Sequence, residues 1–388
     1  MIHGDTNPEG PGYKEEELGA SCNGNYEGRN QRIHGGSYVI IPQDDRMNVE
    51  SFTLQAYIFP TTPDKGKQGI LTKWNETNSS GYGLFVDDDG CLCLMIGDGD
   101  GQVFKISSEK KLMRKVWYLI AASFDAETGK VILYQEPTVT PTNGGLGMSL
   151  LHPADETSAI VESSNNIKPG KNDSPLLMAA STVVDRSGRH ITGGHYKEAL
   201  TPVELPEQGF VYNGKIDRPR LSNKALSKDE IKNLASGYGG CTSDLRTKVV
   251  GAWDFHANIT NNIASTFIVD LSPSHLNGFI VNLPCRGMTG YNWTADDIVY
   301  HHKPEEYGAI HFHDDDIDDA RWEVDFVYKV PDKIKSGVYA ARLRINGDDS
   351  PETEDFVPFV IKPPKGKATS KLALIVPTNS YMAYSNDN

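Results

Sequence analysis

The chain has 388 residues, 38% of them hydrophobic, with 37 glycines, 22 prolines and a formal net charge of −14 at pH 7. That length and apolar content suit two or three packed domains, and the glycine and proline content favours short strands and turns over long helices. Acidity spread along the sequence argues against nucleic acid or an anionic membrane as the main partner, and no run approaches the ~20 apolar residues of a membrane helix.

Residues 1–29 read as an N-terminal extension. Met1-Ile-His-Gly-Asp-Thr-Asn7 shows no basic region followed by an apolar stretch, so no signal peptide is visible. Cys22, Cys91, Cys93, Cys241 and Cys285 are odd in number and form no CxxC pair, which fits free thiols in a reducing cytoplasm.

From 30 to 240 the pattern is that of an antiparallel β-sandwich. Phe52-Thr-Leu-Gln-Ala-Tyr-Ile-Phe59 alternates and closes at Pro60, and Gly69–Trp74 follows a Pro/Gly/Lys turn. Gly81–Val86 and Cys91–Ile96 flank Asp87-Asp-Asp-Gly90 as one hairpin, while Val116–Phe124 and Lys130–Tyr134 flank Asp125–Gly129 as another. The acidic triplet Asp87–Asp89 suits a turn of solvated acids better than a Ca²⁺ site. Residues 137–209 are polar and rich in Ser, Asn, Pro and Gly, an insertion carrying one strand at Leu176–Ala179. After Phe210–Leu221 comes a short helix over Ala225–Leu234, with a capping box from Ser227 and Glu230 and glycines at 237, 239 and 240 to end it.

A second β-rich module is expected over 245–364. Val249–Phe255, Thr266–Asp270, Leu276–Val281, Ala320–Val330, Gly337–Arg344 and Phe356–Ile361 supply its strands. Lys362–Thr369 reads as a linker stiffened by Pro363 and Pro364. Over 370–388, Lys371-Leu-Ala-Leu-Ile-Val-Pro377 has the continuous apolar pattern of a buried parallel strand, the first of an α/β domain that the chain does not complete. Ligands in such sheets bind beyond the strands' carboxyl ends, which draws attention to Tyr381 and Tyr384. A phenol there can donate a proton, hydrogen-bond substrate or bind ferric iron as phenolate; the alternative is two packed aromatics.

Other chemistry-bearing patterns are few. His311 and His313 share a face if 309–313 is extended, and Asp314 follows at once. A His-x-His pair with a carboxylate can bind a first-row metal, but the reading preferred here is a hydrogen-bonded junction bordering a neighbouring domain's active site. No GxSxG, P-loop, HExxH or GxGxxG occurs where it would signal chemistry, and Gly144–Gly147 suits a flexible loop. Cys285 reads as a small buried residue without a base partner rather than as a nucleophile.

Several segments recur together in one family. The order of strands from Phe52, the Trp117 strand, the Asp125–Gly129 hairpin and the Gly214–Ile231 ending resemble a laminin-G-like or concanavalin-type jelly roll. Trp253-Asp-Phe255, Asn282-Leu-Pro284, Gly290-Tyr-Asn-Trp293, Tyr307-Gly-Ala-Ile-His-Phe-His-Asp-Asp-Asp316, Ser336–Ala340, Pro358–Val360 and Pro377-Thr378 with Tyr381-Met-Ala-Tyr384-Ser-Asn386 resemble, in order, the large (β) subunit of N,N-dimethylformamidase, N-terminal portion. The resemblance implies an amidohydrolase that turns a small N-substituted formamide into formate and an amine. It implies a mononuclear Fe(III) held by two tyrosines and a glutamate in a C-terminal α/β domain. Tyr381 or Tyr384 matches the first tyrosine ligand, with His311, His313, Asp314 and Asn386 bordering the site. The remaining ligands fall outside this chain, so the implied partners are a polypeptide carrying the rest of the α/β domain and a small accessory subunit, in a hetero- and homo-oligomer. Two other expectations compete: a carbohydrate-binding jelly roll, and a structural assembly module without catalysis.

Overall fold

A computed structural model describes residues 36–138, 157–191, 201–263, 265–314, 327–344, 354–377 and 380. The chain divides into two units, Ile33–Asp316 and a second made of Met1–Arg32 with Ile317–Asn388.

In the first unit the strands are β1 Tyr38–Ile41, β2 Phe52–Pro60, β3 Gln68–Asn75, β4 Ser80–Val86, β5 Cys91–Asp98, β6 Val103–Lys111, β7 Tyr118–Phe124, β8 Lys130–Pro137, β9 Ala159–Ser164, β10 Leu176–Met178, β11 Ser181–Ile191, β12 Val203–Gly209 and β13 Gly214–Ser222. Helices α1 Lys228–Ala235 and α2 Ser243–Lys248 follow, then β14 Val249–Ala252, β15 Phe267–Ile268, β16 Gly278–Val281, β17 Cys285–Met288 and β18 Ala309–Phe312. One sheet runs β15-β16-β1-β10-β3-β4-β5-β6, with β11 joined to β3 and β12 to β11; the other runs β17-β18-β13-β2-β7-β8-β9, with β14 on β13. Among the described residues the pairing is antiparallel, apart from a parallel contact between Thr182 and Asn75.

Period-two alternation makes the core. Phe52, Leu54, Ala56 and Ile58 of β2 point inward with Tyr118, Ile120, Ala122 and Phe124 of β7, against Leu84, Leu92, Leu94 and Ile96 of the facing sheet. The alternate residues Tyr57, Leu119 and Ala121 are buried too, because α1 and α2 cover them with Ile231, Leu234 and Leu245. Each residue burying its full apolar side chain contributes roughly 1.5–3 kcal/mol. The helix α1 begins as its sequence foretells. Ser227 Oγ accepts from the Glu230 amide and the Glu230 carboxylate accepts from the Ser227 amide, closing the capping box.

Both expected hairpins form. Asp87 and Asp125 open their turns, and Gly90 and Gly129 take the left-handed conformation that glycine tolerates. The segment 137–209 does more than decorate: β10 lies between β1 and β3, in the middle of its sheet.

The second module is corrected in part. The strands expected to open it at 245 pair with the sandwich instead: β16 extends the first sheet beside β1, while β14 and β18 join β13 in the other. Trp253, Phe255, Ile268, Ile280, Ile310 and Phe312 complete the sandwich core and cannot bury one of their own.

In the second unit, β19 Gly337–Arg344 and β20 Glu354–Ile361 form an antiparallel hairpin in which Arg342 pairs with Glu354. Val338, Phe356 and Val360 on it are exposed. Residues 371–377, expected as a buried strand, have no sheet partner among the described residues, and Leu372, Leu374 and Ile375 are exposed. Most of Ala320–Val330 lies outside the described residues.

Candidate functional site

The densest polar chemistry sits on the outer face of the β13 sheet, where its charged residues break the apolar pattern. In Gly214-Lys-Ile-Asp-Arg-Pro-Arg-Leu221, Ile216 and Leu221 face the core, opposite Ile58 and Leu54 of β2. Lys215, Asp217 and Arg220 stand opposite Phe59, Tyr57 and Gln55 and so take the other face. A bulge between Asp217 and Arg220 holds Arg218 at φ 47°, a left-handed conformation strained for a side chain of that size. Proline can occupy 219 because the ladder is already interrupted there.

Asp217 is fully buried, and neither carboxylate oxygen has a donor in bonding geometry among the described residues. Burial pushes its carboxyl up to about 6, the Arg218 guanidinium pulling the other way and Asp254 adding to the rise. Arg218 Nη1 donates to the Tyr291 hydroxyl at 2.6 Å and to the Ser236 carbonyl at 2.7 Å. Arg220, fully buried, pairs with Asp254 of the Trp253-Asp-Phe255 motif. Burial opposes ionisation of Asp254, but Arg220 and Arg218 outweigh it and hold the carboxyl below its ordinary value. His256 is shifted down by burial, and its Nδ1 has no partner among the described residues.

Residues 289–308 lie over this cluster. Tyr291 stacks on Tyr57 with ring centroids 3.5 Å apart and planes 5° from parallel. Trp293 Nε1 donates to the Tyr307 hydroxyl at 3.1 Å, and Glu306 accepts from the Thr294 amide and from Lys303. Gly290 and Gly308 have no room for a side chain. A Cβ on Gly290 would stand 2.6 Å from Asp217 Oδ2, and one on Gly308 would stand 3.1 Å from Asp217 Oδ1. The motif residues Gly290-Tyr-Asn-Trp293 and Tyr307-Gly308 therefore seat this segment over a buried carboxyl.

Of the residues singled out from sequence, His311, His313 and Asp314 come together at the end of β18. His313 exchanges bonds with Ser37: its amide donates to Ser37 Oγ at 3.0 Å, and its carbonyl accepts from the Ser37 amide at 2.8 Å. Asp314 accepts from Lys65 Nζ at 2.6 Å and from Asn213 Nδ2 at 2.5 Å. Burial works against its ionisation, but the Lys65 and Asn213 bonds prevail and keep the carboxyl below the usual range. These bonds tie residues 313–314 to the residue before β1, the β2–β3 connection and the β12–β13 connection of the sandwich. Among the described residues no group of three His, Cys, Asp or Glu side chains is arranged to hold a metal ion. Tyr381, Tyr384 and Asn386 lie outside the described residues.

Two smaller expectations are also answered. Asp87 is buried, with Oδ1 accepting from the Asp89 and Cys91 amides and Oδ2 from Ser107; its oxygens cap the turn. Cys285, expected to be buried, is exposed, because β17 is the edge of its sheet. Sequence reasoning missed Asp217, Arg218, Arg220, Asp254 and His256. The available signal was four charged residues within six positions, 215–220, of an otherwise apolar strand.

Among the described residues of the sandwich, Trp74, Phe85 and Trp117 are at most 1% exposed, while Phe104, Phe210 and Tyr300 are half-buried. No helix among the described residues is long and apolar enough to cross a membrane.

Comparison with known proteins adds the following. Residues 34–166 match the family described as the concanavalin A-like lectin/glucanases superfamily, and residues 286–386 match N,N-dimethylformamidase beta subunit-like, C-terminal. The chain is 35% identical over its whole length to the N,N-dimethylformamidase beta subunit of Alcaligenes sp, and 34% identical to that of Paracoccus aminophilus. It covers 48% of each, so it spans about half the length of these curated relatives. Among solved structures, the CBM40 of Ruminococcus gnavus IT-sialidase is 14% identical, covering 49% of this chain and 84% of that one, with a TM-score of 0.33.

Proposed function

We propose that this chain, related along its whole length to N,N-dimethylformamidase beta subunits, takes part in the hydrolysis of a small N-substituted formamide to formate and an amine. The observation that carries this reading is the unbroken likeness to two proteins of that name, spanning both the sandwich and the segment from 286 onward. Both relatives are named as subunits, which supports partner chains for this protein as well. The residues needed to finish the site lie, on this reading, in polypeptide beyond this chain.

The sandwich's own contribution is mechanical. Its two-sided burial and the Arg220–Asp254 pair anchor β13, and the Ser37, Lys65 and Asn213 bonds anchor residues 313–314 to the sandwich. Tyr381 or Tyr384 is proposed as one phenolate ligand of a mononuclear ferric ion, with the other ligands supplied from outside this chain. Such an ion supplies Lewis acidity toward the amide carbonyl.

The competing carbohydrate reading asks for aromatic rings displayed to a sugar. The unbroken likeness to N,N-dimethylformamidase beta subunits is what favours the hydrolase over the lectin. The decisive variants are Tyr381→Phe and Tyr384→Phe, made in the enzyme assembled with its completing polypeptide. One of the two should lose bound iron, the phenolate-to-iron absorption and formate release together, while the other keeps all three. Full iron content and turnover in both variants would remove tyrosine ligation from the proposal.

A further inference from the structure

The strand register places three reactive side chains in one row. Lys215 of β13 stands opposite His311 of β18, and His311 stands opposite Cys285 of β17. Directly opposed residues of antiparallel strands project from the same face, with Cβ atoms about 4.5–5.5 Å apart. The row lies on the outer face, since Ile310 and Phe312 beside His311 take the core side. It runs to the edge of the sheet, where Cys285 is exposed. We propose that Cys285, His311 and Lys215 form a thiol-exchange site that takes a low-molecular-weight disulfide, making Cys285 a site of reversible thiolation.

Each member has a defined part. Lys215 is held by its bonds to the Thr289 hydroxyl at 2.9 Å and carbonyl at 3.2 Å, with its ammonium 5.2 Å from the centre of the Phe59 ring. It places a cationic side chain in the row, beside the position an incoming disulfide with an anionic group would take. The groups facing His311 are Lys215 from β13, Cys285 from β17 and His313 on its own strand. Burial, then Lys215 and His313, lower the imidazole from its ordinary value, so it is neutral at pH 7 and can accept a proton. Exchange then balances as follows. The Cys285 sulfur attacks one sulfur of the disulfide, the reagent's S–S bond breaks, and a mixed disulfide forms at Cys285. The other half leaves as a thiolate and takes the proton held by His311. Cys285 is oxidised and the departing thiol is the reduced product.

Competing thiols are disfavoured where described. Cys91, Cys93 and Cys241 are buried; burial raises Cys91 and pushes Cys93 up to about 12, and the Cys241 thiol donates to the Tyr238 carbonyl. Cys22 lies outside the described residues, so the test is made in a Cys22→Ser background. The probes are oxidised glutathione and an aromatic disulfide, with intact mass and thiol release as readouts. One equivalent should react fast at pH 7 and vanish in Cys285→Ser. His311→Gln, which removes the base that accepts the thiol proton, should slow it about tenfold, with a smaller slowing in Lys215→Met. Near-ultraviolet circular dichroism checks that each variant keeps its fold, and Lys215→Met stands alone if His311→Gln does not. A fast equivalent that survives Cys285→Ser, or an unchanged rate in the folded neighbour variants, would overturn the proposal.

Discussion

Strands β2 and β13 bury both of their faces, yet the two faces follow different rules. Inward, Leu54, Ile58, Ile216 and Leu221 meet the opposite sheet as a continuous apolar layer. Outward, Gln55, Tyr57, Asp217 and Arg220 are equally buried but polar, held by a stacked Tyr57–Tyr291 pair, a capping segment at 289–308 and the Arg220–Asp254 ion pair. The inner face needs volume and apolarity, and tolerates swaps that keep both. The outer face needs each polar partner in place, because removing one leaves its mate uncompensated.

That contrast can be broken by substitution. The largest effect is expected from Asp254→Ala, which strands the Arg220 guanidinium where it is fully buried; the loss should be about 3–5 kcal/mol in urea denaturation. On the inner face, Ile216→Ala should cost about 2–5 kcal/mol by leaving a cavity, while Ile216→Val costs only about 0.5–1.5 kcal/mol. If Asp254→Ala were as mild as Ile216→Val, the two faces would not differ as described.

Asp217 sharpens the comparison through pH. Its carboxyl, raised to about 6 mainly by burial, binds its proton more tightly folded than unfolded, where aspartate lies near ~3.9. Its stabilising contribution is therefore full below about pH 4 and is lost as pH rises through about 6. The shift corresponds to a loss on the order of 3 kcal/mol. Asp217→Asn should remove that slope, so the difference between variant and parent stability should change between pH 4.5 and 7.5. A constant difference would show that Asp217 titrates as an ordinary surface group. The smallest expected effect is Ser227→Ala, about 1 kcal/mol from the lost helix cap, measured by thermal or urea unfolding.

Legibility from sequence followed the same division. The inner-face strands declared themselves by alternation, and the turns at Asp87–Gly90 and Asp125–Gly129 by their acids and glycines. The capping box at Ser227 and Glu230 was equally plain, being a local bond between residues three apart. Allegiance was not legible. The strands at 249–252, 278–281 and 309–312 look like the start of another module because alternation reports a buried face and not the sheet that buries it. Cys285 was read as buried because its place on an edge strand is a property of the sheet order. The hydrogen bonds of His313 and Asp314 were not legible in detail, because their partners Ser37, Lys65 and Asn213 come from segments far away in sequence. The Asp217 cluster was overlooked because each charge taken alone resembles a solvated one; their common face emerges only from the register with β2.

The chain spans about half the length of its relatives, and the proposed function places part of the catalytic site in the half it does not span. Formate release from N,N-dimethylformamide tests it most directly, measured on the purified chain alone and again with the polypeptide that completes it. The prediction is no turnover from the chain alone, and turnover with bound iron once the completing polypeptide is present. Turnover by the isolated chain would contradict it.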